Sequence, residues 1–175
     1  MKKRTKKILL LSAGALVLVV GSFLACGIYS FMASPFLGEE IDDQPDAVLI
    51  NNFHSQKAEF EQLREMVIQD QTMSRVDNDW TDPSTFDTTR VAEYRRLFKV
   101  IGTPRGVIAY DRERIRLISS SHGWFSSGST KGYLYLKKPP KNLADSLDNY
   151  GWHTKMDTFA VRHIEGNWYL FFDRS

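Results

Sequence analysis

The stretch Gly106–Ser120, GVIAYDRERIRLISS, decides the fold. Two runs rich in β-branched and aromatic residues flank the polar turn DRE, which reads as a hairpin with strands near 106–111 and 114–120. A tight connection joins antiparallel neighbours, whereas parallel strands need a long crossover. The sheet is therefore expected to be antiparallel.

The flanking segments extend this sheet. In KGYLYLKK, Lys131–Lys138, strand alternation puts Tyr133 and Tyr135 on one face and Leu134 and Leu136 on the other. In TFAVRHIEGNWYLFFDRS, Gly166-Asn167 is a two-residue turn between strands near 158–164 and 168–173. Trp168, Tyr169, Phe171 and Phe172 are apolar on both faces, as in a strand covered on both sides. SQKAEFEQLREMVIQD, about 55–70, is a helix with Ala58, Phe60, Leu63, Met66 and Val67 in one stripe. TTRVAEYRRLFKVIG is a second helix, with a stripe of Val91, Tyr94, Leu97, Phe98 and Ile101, a left-handed end at Gly102 and a block at Pro104. PPKNLADSLDNYG predicts a short helix capped by Asn142. AVLINNF, 47–53, is a short strand or the lead-in to a helix, while VDNDWTDPSTFD, 76–87, and HGWFSSGST, 122–130, read as loops. The expected class is α+β: an N-terminal membrane helix, then an antiparallel sheet of about five strands covered by two main helices and one short one.

The N-terminus carries a targeting signal. MKKRTKK precedes 26 uncharged residues, Ile8–Ala33. About 20 residues cross a hydrocarbon core, while a signal peptide's apolar region is about 7–15. Positive charge before the run and the acidic stretch GEEIDDQPD after it place the N-terminus in the cytoplasm and the rest outside. The division is a basic tail and membrane segment over 1–33, a linker over 34–46 and an exported domain over 47–175. Cys26, with the small neighbours Ala25 and Gly27, is a lipidation candidate. Phe23 and Leu24 depart from the usual lipid-attachment box, so a retained span, a lipoprotein anchor and ordinary cleavage all stay open. A single cysteine excludes an internal disulfide and a cysteine-based zinc or iron–sulfur site.

Charge is unevenly spread. The overall +2 combines +5 over 1–38, −10 over 39–94, +9 over 95–141 and −2 over 142–175. Without the basic tail the chain is slightly acidic, which argues against nucleic acid as a partner. The basic third points to a binding face for an anionic partner. Its residues are Arg112, Arg114, Arg116, Lys131, Lys137 and Lys138, beside Trp124 and Phe125. Strand alternation aims Arg114 and Arg116 at one side. The competing reading is that this basic third packs against the acidic segment and the charges offset each other.

Catalytic and metal motifs are weak. Ser120 and His122 share a strand face and would need a carboxylate, Asp111 being nearest in sequence, to form a hydrolase group. No GxSxG elbow accompanies them. His163 and Glu165 have a metal-ligand spacing that is also ordinary strand decoration. GSTKG, 128–132, lacks the order of a phosphate loop, and DNDWTD, 77–82, lacks the glycine and glutamate of a calcium loop. No cofactor or metal is expected.

KGYLYLKKPPKNLADSLD, RHIEGNWYLFFD and FEQLREMVIQDQTMSRVD resemble segments of uncharacterised envelope proteins of Gram-negative bacteria, often labelled lipoproteins. The resemblance implies export and membrane attachment, and no activity. The expectation is a single-pass inner-membrane protein with a periplasmic C-terminal domain, or a lipoprotein anchored through Cys26. Its role would be non-catalytic binding of a protein or an anionic envelope component, for instance as an immunity-type protein. The alternative is a periplasmic hydrolase using Ser120, His122 and a carboxylate.

Overall fold

Pro45, with its φ fixed near the helical value, opens the first helix among the described residues of the computed structural model, which are 43–124, 127–151 and 153–175. All of them lie in one of the two units into which the chain divides, Glu40–Ser175. Helix α1 (Asp46–Ser55) resolves the ambiguity of AVLINNF: Leu49 and Phe53, four residues apart, are both buried. Asp46, expected to end the linker, is the first residue of this helix and fully buried. Helix α2 (Lys57–Gln69) buries Phe60, Leu63, Met66 and Val67, while Ala58 stays exposed. Helix α3 (Thr88–Ile101) starts where the Asp87 carboxylate accepts the Arg90 N–H at 2.7 Å. It ends at Gly102 in the left-handed region, φ +66°, where the N–H groups of Gly102 and Thr103 both meet the Phe98 carbonyl.

The sheet has seven strands: β1 (Arg75–Val76), β2 (Thr81–Asp82), β3 (Val107–Asp111), β4 (Arg114–Trp124), β5 (Ser127–Leu136), β6 (Thr158–Glu165) and β7 (Trp168–Arg174). Their order is β2-β1-β3-β4-β5-β7-β6, and every neighbouring pair is antiparallel. The count exceeds the expected five because the acidic loop contributes two strands of two residues each, closed by the Asp77 N–H on the Trp80 carbonyl.

The Gly/Ser stretch 122–130, expected as a loop, is largely strand. His122 pairs with Ser129 and Trp124 with Ser127. Its polar residues find partners on both sides, because β7 pairs with β5 from Ser129 onward and Ser175 exchanges two backbone bonds with Gly128. Tertiary pairing here overrides a composition that disfavours strands. Gly132 lies opposite Ile118, where β4 bulges. A Cβ there would meet the Leu117 carbonyl oxygen at 2.1 Å, so only glycine lets the two strands approach.

The sheet buries apolar residues on both faces. Toward the helices lie Val107, Ile115, Leu117, Tyr133, Tyr135, Trp168, Leu170 and Phe172, with the helix stripes above them. Phe60 meets Tyr133 edge-on at 4.6 Å, and Phe53 and Trp168 are 5.6 Å apart. On the outer face Ile118, Leu134, Val161, Tyr169 and Phe171 form a smaller cluster. The tyrosine–leucine split over 133–136 and the two-sided burial of 168–172 match the sequence reading.

The short helix expected over 139–151 does not form. Its backbone is drawn outward instead: the Ala144 N–H binds the Val161 carbonyl, and the Leu147 N–H binds Asp46 Oδ2 at 2.6 Å. The same Asp46 oxygen accepts from Ser146 Oγ at 3.2 Å and Arg162 Nη1 at 2.7 Å, and Lys131 Nζ lies 2.9 Å from Oδ1. Asp148 Oδ1 closes the ring, taking the Asp46 N–H at 2.7 Å and Lys131 Nζ at 3.2 Å. Two carboxylates thus balance two cations, with Asp46 and Lys131 buried and Asp148 and Arg162 reaching solvent. Burial alone would push the Asp46 carboxyl up, but the bonds from Leu147, Lys131 and Arg162 outweigh it and hold it below its ordinary value of 3.8.

Candidate functional site

The outer face of the sheet carries the most chemically distinctive surface. It begins in the β3–β4 hairpin, where the Asp111 carboxylate caps the turn by accepting the Glu113 N–H at 2.8 Å. Ala109 pairs with Ile115 and Asp111 with Arg114, so Tyr110 is the extra residue of a bulge. Its ring lies beneath two guanidinium groups, at 4.7 Å from Arg114 and 5.0 Å from Arg116. Arg116 is also 5.0 Å from the rings of both Phe159 on β6 and Phe171 on β7, and its Nη1 meets Asp173 Oδ2 at 2.6 Å. Four strand pairings, from β3 across to β6, therefore bring one arginine among three aromatic rings.

Exposure separates anchor from contact. The Arg116 side chain is only 14% exposed. Tyr110 and Phe159 on either side of it are 52% and 50% exposed, unusual for large rings on a sheet. Arg114 is exposed and has no acidic partner among the described residues. Stacked, partly dehydrated guanidinium groups beside exposed rings suit recognition of carboxylates and apolar surface together.

The other expected binding residues are elsewhere. Arg112 turns away and donates from Nη2 to the Asp70 and Met73 carbonyls at 2.8 and 2.9 Å, clamping the end of α2. Lys131 shares the helix-side face with Tyr133 and Tyr135 and is 2% exposed in the Asp46 site, so it cannot belong to a surface. Lys137 and Lys138 stay exposed near Arg114 but share Glu113, at 3.1 and 3.6 Å. Trp124 lies at the other end of β4, ten residues from Arg114 and so roughly 33 Å away along the strand. Phe125 falls outside the described residues. The aromatics beside the arginines are thus Tyr110 and Phe159, which only the sheet order reveals.

Ser120 and His122 do share a face, but the carboxylate near them is Asp43. Ser120 Oγ donates to Asp43, and His122 Nδ1 lies 3.8 Å from the same oxygen. A relay needs the histidine between hydroxyl and carboxylate. Ser120 is also 1% exposed, and Asp111 sits at the opposite end of β4. The geometry expected of a hydrolase is not assembled. His163 binds the Gly166 carbonyl, while Glu165 pairs with Lys57 and His54. Asp77 is held by Arg75 and Asp82 by Ser74. Among the described residues no group of three or more histidines, cysteines and carboxylates is placed to hold a metal.

Among the described residues no helix is long and apolar enough to cross a membrane. The expected span over 8–33 and the lipidation candidate Cys26 lie outside the described residues. Comparison with family models, curated proteins and solved structures finds no match to this chain.

Proposed function

We propose that this chain is a membrane-anchored periplasmic binding protein that captures an acidic partner protein through the outer sheet face around Arg114 and Arg116. One observation carries the reading: an exposed arginine without an acidic partner among the described residues stands over a half-exposed tyrosine, beside a second arginine stacked among three rings. Arginine and tyrosine are the residue types that most often dominate binding energy at protein interfaces. Rigid rings lose little conformational freedom on binding, and Arg116 is already fixed by Asp173. Anchoring and export rest on the uncharged run over 8–33 and its flanking charges, and on the resemblance to envelope proteins. An immunity-type protein fits this picture, since charge steering speeds capture.

The test crosslinks the tagged full-length protein in cells, identifies what it holds, and repeats the capture with Arg114→Glu and Tyr110→Ala. The reading expects one stoichiometric protein with an acidic contact surface. Its affinity should fall about 30-fold or more in either variant, and its association should slow as salt rises. A partner held equally well by both variants overturns it. Capture of a non-protein envelope polymer would move the face to that ligand class.

A further inference from the structure

We propose that a second site, a groove at the C-terminal end of α3, binds the oxyanion of a small, partly apolar molecule. The groove encloses about 550 Å³ and is lined by Gln44, Asn78, Arg95, Phe98, Lys99, Gly102, Pro104 and Ser119. That volume suits a small ligand, and the wall combines one aromatic ring and a proline with a few polar groups, as ligand sites do. It shares no residue with the outer sheet face.

The charge in the groove is one-sided. Arg95 and Lys99 sit one helical turn apart and line the same wall, which contains no carboxylate. Arg95 Nε donates to the Asp77 carbonyl at 3.0 Å, which orients the guanidinium. Its two terminal nitrogens and the Lys99 ammonium have no hydrogen-bond or ion-pair partner among the described residues. Like charges at this spacing repel each other, so the pair costs stability until an anion lies between them. The carboxylate of Asp77, whose carbonyl Arg95 binds, is already engaged by Arg75 at 2.9 Å and by the Asn78 N–H at 2.7 Å.

A helix C-terminus would ordinarily oppose an anion. Here several of the carbonyls are occupied: Ile101 by Asn52 Nδ2 at 2.8 Å, Phe98 by the Thr103 N–H at 3.0 Å and Gly102, just past the helix, by Ser119 Oγ at 3.4 Å. A guanidinium fork set beside an ammonium matches a phosphate or carboxylate, and Pro104, over the buried edge of Phe98, takes the apolar remainder. The oxyanion can come from a soluble metabolite or from a lipid headgroup.

Calorimetric titration of the full chain in a neutral detergent tests this. The probes are phenyl phosphate and dihexanoyl-phosphatidylglycerol, with benzyl alcohol as the uncharged control. The expected result is saturable binding of at least one anionic probe and none of the control, weakened about tenfold or more by Lys99→Gln. Binding of phenyl phosphate assigns a soluble ligand, and binding of the lipid probe alone assigns a headgroup. Lys99 is exposed, so its replacement leaves the fold intact, whereas Arg95→Lys keeps the charge and asks whether the fork matters. Failure of both anionic probes to saturate, or equal affinity in Lys99→Gln, overturns the proposal.

Discussion

Asp46 shows how much one side chain can organise. It is fully buried and takes bonds from α1's neighbours in the 140s, from β5 and from β6. Asp46→Ala would leave the buried Lys131 only the half-exposed Asp148 and would strip Arg162 of its partner; removing one member of a buried pair costs up to about 3–5 kcal/mol. Urea denaturation should register a loss of that size. The carboxyl is held below 3.8 in the folded protein, so its stabilising effect is fully present above that value and disappears as pH falls through the lower folded value. Unfolding free energy should decline on acidification from about pH 4 downward, and the part owed to Asp46 should be missing from Asp46→Asn. Lys131 was within reach of the sequence, since it alternates with Tyr133 and Tyr135 and so belongs to the core-facing side. Asp46 was not, because its partners stand about a hundred positions along the chain.

Elements that depend on neighbours in sequence were legible, and those that depend on distant strands were not. The Gly102 stop and the Gly166-Asn167 turn each follow from local backbone rules, whereas the Asp87 cap emerges only in the structure. Asp87→Ala should cost about 0.5–2 kcal/mol by thermal unfolding, from the lost bond to the Arg90 N–H. The 122–130 stretch became strand only because β7 stands ready to pair with it, and the 139–151 segment stayed irregular because Asp46 and Val161 claim its N–H groups. Gly132→Ala tests the close approach of β4 and β5. A methyl group would press on backbone atoms that cannot rotate away, so a loss of about 1–3 kcal/mol or more is expected by urea denaturation. A loss below that range would mean that the strands can part locally.

For the molecule as a whole, the residues of the main core run from Leu49 to Phe172, inside the unit Glu40–Ser175. A chain beginning at Glu40 should therefore fold alone, with one cooperative transition by circular dichroism, and reductant should leave its midpoint unchanged because the sole cysteine is Cys26. A broad, non-cooperative transition would show that the preceding residues complete the fold. The charge asymmetry of the sequence is partly internal: from the basic third, Lys131 pairs with Asp46 and Arg116 with Asp173. Arg114, Arg95 and Lys99 are part of the surplus that remains, and both proposed sites draw on it. The ring of charges around Asp46 also sets an order of events in time. A chain that leaves the ribosome N-terminus first presents Asp46 long before residues 144–162 exist. Until they appear the Asp46 carboxylate lacks its bonds from Ser146, Leu147 and Arg162, so the segment nearest the proposed anchor is among the last to be locked in place, and newly made protein stays loosely tethered until its final hairpin arrives.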